Sequence, residues 1–152
     1  APDFASRIVD TVGRFSIPTD RIAFEITERQ AIKNMHLVEK LIRELKSLGY
    51  SFSIDDFGAG FSSHHYLREF PVDYLKIDGP FILGAGKGNT VDLAIVHSIV
   101  SLARLLGIQT VGEGIEDAEA MDVATACGVT LGQGYFVGRP GSAEAMLPSL
   151  KP

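Results

Sequence analysis

Residues 34–66, NMHLVEKLIRELKSLGYSFSIDDFGAGFSSHHY, spell a helix, a glycine and a strand in direct succession. Asn34 is suited to cap a helix whose apolar stripe runs Leu37, Val38, Leu41, Ile42, Leu45 and Leu48, the spacing of one buried face. Gly49 is the residue type that ends such a helix. Beyond it Phe52 and Ile54 alternate with Ser51 and Ser53, which reads as a strand, and the strand stops at Asp55-Asp56 and the glycines Gly58 and Gly60. Adjacent strand residues face opposite ways, so two neighbouring carboxylates serve one ligand only if the chain turns there, which glycines allow. Carboxylates held close together repel unless a proton or a metal ion lies between them. A divalent cation is therefore expected at this strand tip.

The same word recurs on both sides. Toward the N-terminus, Phe4, Ile8, Val9 and Val12 predict a helix over Phe4 to Phe15, followed by a strand from Arg21 to Thr27 with Ile22, Phe24 and Ile26 on one face and Glu25 on the other. Toward the C-terminus come a short helix, His64 to Glu69, stopped by Pro71, and a strand, Tyr74 to Ile77. A loop rich in glycine (Gly84, Gly86, Gly88) is expected before a helix from Thr90 to Leu106, whose apolar residues cover most of its circumference and predict deep burial. This glycine loop lacks the Gly-Lys-Ser/Thr of a phosphate loop. Gly107 then precedes a strand, Ile108 to Val111; Asp117 caps a helix to Cys127; Gly128 stops it; and Val129 to Val137 contains a strand broken by glycines. A last helix is expected over Ser142 to Leu147. Strands always separated by helices mean parallel strands joined by right-handed crossovers, an α/β fold of five strands and about six helices.

Composition bounds the function. A chain of 152 residues, 45% hydrophobic and 22% charged, suits one globular domain. A net charge of −5 argues against DNA, RNA or an anionic membrane surface as partner, while a small phosphorylated ligand held through metal ions stays compatible. One cysteine, Cys127, fits a reducing compartment and excludes an internal disulfide. The opening APDFAS has no signal-peptide character, and no apolar run approaches the roughly 20 residues of a membrane span. These features predict a cytoplasmic domain that makes no membrane contact of its own, any membrane tether lying in segments upstream of it.

Polar residues gather where each strand ends: Glu25 and Glu28, Asp55 and Asp56, Lys76 and Asp78, Glu113 and Glu116, then Gln133. In a parallel α/β barrel those ends open on one face, where active sites lie. Any single acid could be a solvated loop residue or a helix cap. Four acidic clusters in register are harder to explain by packing.

In this order and spacing, Glu25-Ile26-Thr27-Glu28, Asp55-Asp56-Phe57-Gly58-Ala59-Gly60-Phe61-Ser62-Ser63, Leu75-Lys76-Ile77-Asp78, Gly112-Glu113-Gly114-Ile115-Glu116 and Gln133-Gly134-Tyr135-Phe136 resemble the EAL domains of bacterial cyclic di-GMP signalling, over Phe4 to Leu147. The resemblance implies a modified TIM barrel that hydrolyses cyclic di-GMP to pGpG with Mg²⁺ or Mn²⁺. It implies that Glu25 and Asp55 hold a first metal, Asp56 a second, and that Glu113 is a further acid at the metal site. Lys76 would orient the attacking water, with Glu116 and Gln133 beside water and substrate, and Glu28 would grip the loop from Phe57 to Ser63. The chemistry implied is two-metal hydrolysis, in which hard cations take oxygen ligands and lysine supplies a compact positive charge. Arg139, near the end of the last strand, could reach a phosphate or guanine or face water.

The Glu-Ala-Leu that names the family, and the asparagine of its next strand, are not in this sequence. The resemblance thus covers the last three-fifths of the family domain, a truncated EAL domain over residues 1–152. Five parallel strands cannot close a barrel and leave two edges that recruit partners. The expectation is a homo-oligomer or an upstream sensory or GGDEF-type domain in a parent protein, and weak or no hydrolysis by the chain alone. The alternative is a non-catalytic receptor for cyclic di-GMP.

Overall fold

The computed structural model describes residues 4–59 and 64–142. Its five strands form one parallel sheet in the order β1-β2-β3-β4-β5: Ala23–Thr27, Ser51–Phe57, Tyr74–Ile77, Gln109–Gly112 and Leu131–Gly132. Six α-helices accompany them among the described residues: α1 Phe4–Gly13, α2 Glu28–Lys33, α3 Met35–Ser47, α4 Gly79–Gly86, α5 Thr90–Leu106 and α6 Ala118–Cys127. Short 3₁₀ turns lie at Thr19–Arg21 and His64–Arg68. The strand order equals the chain order, the signature of a sheet that winds one way toward a barrel; here β1 and β5 remain unpaired edges among the described residues.

Register fixes which residues share a face. Phe24 pairs with Phe52, Ile26 with Ile54, and Ile54 with Leu75; these, with Ile77, carry the sheet face covered by helices. Against it pack Ile42 and Leu45 of α3 and Val96, Ile99 and Ala103 of α5, all buried. The opposite face carries Glu25 beside Ser53, Ser53 beside Tyr74, and Lys76 beside Val111. Polar residues therefore line the concave side.

The glycine-ended helices follow their sequence cues. Gly107 and Gly128 both adopt the left-handed conformation after α5 and α6, and Asp117 accepts a 2.8 Å hydrogen bond from the Ala120 amide.

Four expectations change. First, α2 occupies residues to which the sequence reading assigned no element: Thr27, read only as a strand end, also caps the helix by accepting from the Gln30 amide. Second, Gly84 and Gly86 lie in a helix, α4, opened by Gly79-Pro80. Their glycines serve close approach rather than a loop, because a Cβ on Gly84 would sit 1.9 Å from Asp92 Oδ2 and one on Gly86 3.3 Å from the Ala120 nitrogen. Third, α5 buries one side, Val96, Ile99, Val100 and Ala103, while Val91 and Leu105 face outward. Fourth, the last strand shortens to Leu131–Gly132. The helix expected over Ser142 to Leu147 lies, apart from Ser142, outside the described residues.

Candidate metal centre

Lys76 stands at the centre of the rim. The concave face directs it toward the ends of β1 and β2, and its ammonium meets three carboxylates: Glu25 Oε2 at 3.2 Å, Asp55 Oδ1 at 2.9 Å and Glu113 Oε1 at 2.7 Å. Its side chain is only 7% exposed, against 51% for Glu25, 23% for Asp55 and 20% for Glu113. Burial by itself would lower the lysine pKa. Hydrogen bonds to Glu113, Asp55 and Glu25 outweigh it, and the net shift is upward, so the ammonium stays charged. Carboxylates from three segments, β1, β2 and the loop after β4, thus converge on the ammonium carried by β3.

Asp55 and Asp56 reach the same place by a local distortion. Pairing of β2 with β3 runs in register to Ile54 and resumes shifted at Phe57 opposite Ile77, a break that falls on the two aspartates. Asp56 itself takes φ +54° and Gly58 φ +96°. An aspartate tolerates the left-handed region better than bulkier residues, and glycine adopts it without penalty. The turn expected from the glycines therefore begins two residues before Gly58, on Asp56.

The donor set suits a hard divalent cation. One carboxylate oxygen from each of Asp55, Asp56 and Glu113 lies within 4.8 Å of the others. Asp55 Oδ1 is buried with the Lys76 ammonium 2.9 Å away, and a carboxylate oxygen so placed keeps a further lone pair for a hard cation. Burial raises the Glu113 pKa, Lys76 opposes the rise, and the negative charges of Asp55 and Asp56 add to it. Asp78, at the tip of β3, is likewise raised by burial and then by Asp56. Crowded acids with elevated pKa values are what a cation would relieve. The role of Asp78 was not assigned from sequence, although its place at a strand tip was visible.

Glu28 is buried in the first turn of α2. Its Oε2 accepts from the Gly58 amide at 3.3 Å and its Oε1 from the Tyr66 hydroxyl at 2.8 Å. The side chains of Glu116 and Gln133 are exposed, and no hydrogen bond or ion pair engages them among the described residues. The Gln133 backbone does bind the rim, donating to the Gly112 carbonyl at 2.8 Å and accepting from the Ile115 amide at 3.1 Å. Arg139 stacks on Tyr135, its guanidinium carbon 4.9 Å from the ring centroid. The side chains of His64 and His65 lie outside the described residues.

A winding parallel sheet with acids and a lysine gathered at the carboxyl ends of its strands defines a barrel-type α/β domain with a cation-binding rim. The chain belongs to the EAL domain family, which it matches over residues 1–140. It is 48% identical over 126 residues to the cyclic di-GMP phosphodiesterase PdeB of Shewanella oneidensis, covering 83% of this chain and 15% of that protein. The phosphodiesterase PaMucR, solved as a cyclic di-GMP complex, superposes with a TM-score of 0.87 at 34% identity, covering 93% of this chain and 57% of that one. BlrP1 of Klebsiella pneumoniae, solved with cyclic di-GMP and manganese, gives a TM-score of 0.82 at 30% identity, with 92% and 35% of the two chains covered; it was also solved with calcium. The chain therefore spans only part of the proteins it matches. Among the described residues, no helix is long and apolar enough to cross a membrane.

Proposed function

We propose that residues 1–152 form one domain, the rim-bearing portion of an EAL phosphodiesterase domain that hydrolyses cyclic di-GMP to pGpG. The observation that supports this best is the convergence of Glu25, Asp55 and Glu113 on the Lys76 ammonium, all within 3.2 Å. Asp55, Asp56 and Glu113, with Glu25, would hold Mg²⁺ or Mn²⁺. When bound, such a cation supplies Lewis acidity toward a phosphate oxygen and a more acidic water.

The chain's own groups do the rest. Lys76, kept protonated by its neighbours, presents a fixed positive charge to a phosphate or to the attacking water. Glu28 holds the Gly58 turn, and so the direction of Asp55 and Asp56. Glu116, Gln133 and Arg139 are exposed along the rim, where substrate would meet them. This acidic rim takes a small dinucleotide through cations, in keeping with a net charge of −5 that disfavours polymeric nucleic acid.

The unpaired edges at β1 and β5 favour a second copy of the chain or the remaining strands of a longer parent protein, in which a sensory or GGDEF-type domain would precede this one in the cytoplasm. Without the Glu-Ala-Leu glutamate and the following asparagine, the isolated chain should bind metal weakly and turn over slowly. The test is pGpG formation from cyclic di-GMP with Mn²⁺, alongside calorimetric binding. Slow turnover abolished by Glu113→Gln supports the reading. Binding of the dinucleotide with no product selects the receptor instead, and neither binding nor product refutes both.

A further inference from the structure

We propose that Tyr66 is a positioning residue for the metal centre: its hydroxyl fixes the Glu28 carboxylate, which in turn holds the backbone turn that aims Asp56. The proposal rests on the metal-binding reading above.

The geometry is a relay across three segments. Thr27, the last residue of β1, sits beside Asp55 in the sheet, so Glu28 emerges next to the two aspartates. Glu28 is 4% exposed and Tyr66 3%. Each carboxylate oxygen has its own donor: the Tyr66 hydroxyl at 2.8 Å on Oε1, the Gly58 amide at 3.3 Å on Oε2. Gly58 follows Asp56 by two residues, and both occupy the left-handed region. A non-glycine residue stays there only when its surroundings over-determine it. The hydrogen bond on Gly58 is one such determinant, and it depends on the carboxylate keeping one rotamer. Tyr66, packed against Phe70 with ring centroids 5.5 Å apart, reaches that carboxylate from the 3₁₀ turn His64–Arg68. Loss of its hydroxyl lets the carboxylate rotate, the Gly58 turn loosen and Asp56 swing from its partners.

Substituting groups that orient metal ligands from behind typically costs 10- to 100-fold in affinity. Tyr66→Phe keeps the ring and removes only the hydroxyl. Mn²⁺ binding to the chain, followed by calorimetry, should weaken about tenfold at the low end of that range, and the Gly58 amide should exchange faster with solvent. Glu28→Ala should weaken binding as much, with Tyr66→Phe adding nothing in the double variant. Val100→Ala, in the core near the opposite ends of the strands, should lower Tm and leave Mn²⁺ affinity alone. Unchanged Mn²⁺ affinity in Tyr66→Phe, additive losses in the double variant, an equal loss in Val100→Ala, or no Mn²⁺ affinity in the unsubstituted chain would each overturn the proposal. Tyr66-dependent Mn²⁺ binding without any pGpG production would sink the phosphodiesterase reading and leave this one standing.

Discussion

Replacing Lys76 by methionine tests whether the lysine is what holds the rim together before metal arrives. The change keeps most of the stem and removes the charge, leaving Glu25, Asp55 and Glu113 facing one another. Glu25 is half exposed, so its pair contributes little, of the order of surface ion pairs at under about 1 kcal/mol. Asp55 and Glu113 are about one-fifth exposed, and losing the cation from such partly buried partners costs more, though less than the 3–5 kcal/mol of a fully buried pair. A net loss of about 3 kcal/mol follows, worth roughly 6–12 °C in Tm for a domain of this size. Mn²⁺ should then stabilise Lys76→Met more than the parent chain, because three unneutralised carboxylates bind it more tightly. A tenfold gain in affinity adds about 1.4 kcal/mol at saturating metal. Differential scanning calorimetry with and without Mn²⁺ reads both effects, and pGpG production should vanish although metal binds better. An unchanged Tm without metal, or equal protection of both proteins by Mn²⁺, would refute the reasoning.

Two further outcomes follow from the same coordinates. Glu113 and Asp78 have raised folded-state pKa values, so in the metal-free chain they favour folding below the ordinary carboxyl pKa and lose that contribution as pH rises through the raised one. Metal needs the carboxylates ionised, so Mn²⁺ affinity should climb with pH across this range by up to about tenfold per unit for each proton displaced, and Glu113→Gln should flatten the titration. Gly134→Ala should cost about 3 kcal/mol or more, because its Cβ would meet backbone atoms of Ile115 at 2.2–2.6 Å, whereas Gly84→Ala meets the Asp92 side chain, which can rotate away at smaller cost. Urea unfolding of the two variants ranks them, and the reverse order would contradict the packing described.

Much of the fold was legible because its signals are local. The stripe of α3 from Val38 to Leu45, though not its ends Leu37 and Leu48, which are exposed, the glycine after it and the alternation of β2 are each written within a few residues, and strands separated by helices leave little choice but parallel pairing. What escaped depended on distant neighbours. Gly84 and Gly86 read as a loop until Asp92 and Ala120 are seen against them, since a glycine at a helix crossing and a glycine in a loop look alike in sequence. The outward face of α5 was equally hidden, because an apolar residue states what it tolerates and not what covers it. At the site, Glu25, Asp55, Asp56, Lys76 and Glu113 do meet, as strand-end acids suggested. Among the described residues Glu116, Gln133 and Arg139 carry no such contact, which sequence spacing could not reveal. Tyr66 was missed since an aromatic on a short helical turn before Pro71 reads as core, and its hydroxyl finds Glu28 only through the fold.

The register break between Ile54 and Phe57 separates two jobs along a single strand. Below it, ladder hydrogen bonds dictate every side chain's direction, and a change there disturbs the whole sheet. Between the rungs at Asp55 and Phe57, and in the turn at Gly58 beyond them, direction is set by local conformation that the ladder does not constrain. Variation at the rim can therefore retune which ion or nucleotide is welcomed while the scaffold underneath keeps its shape, and changes made to alter preference belong in that unconstrained stretch.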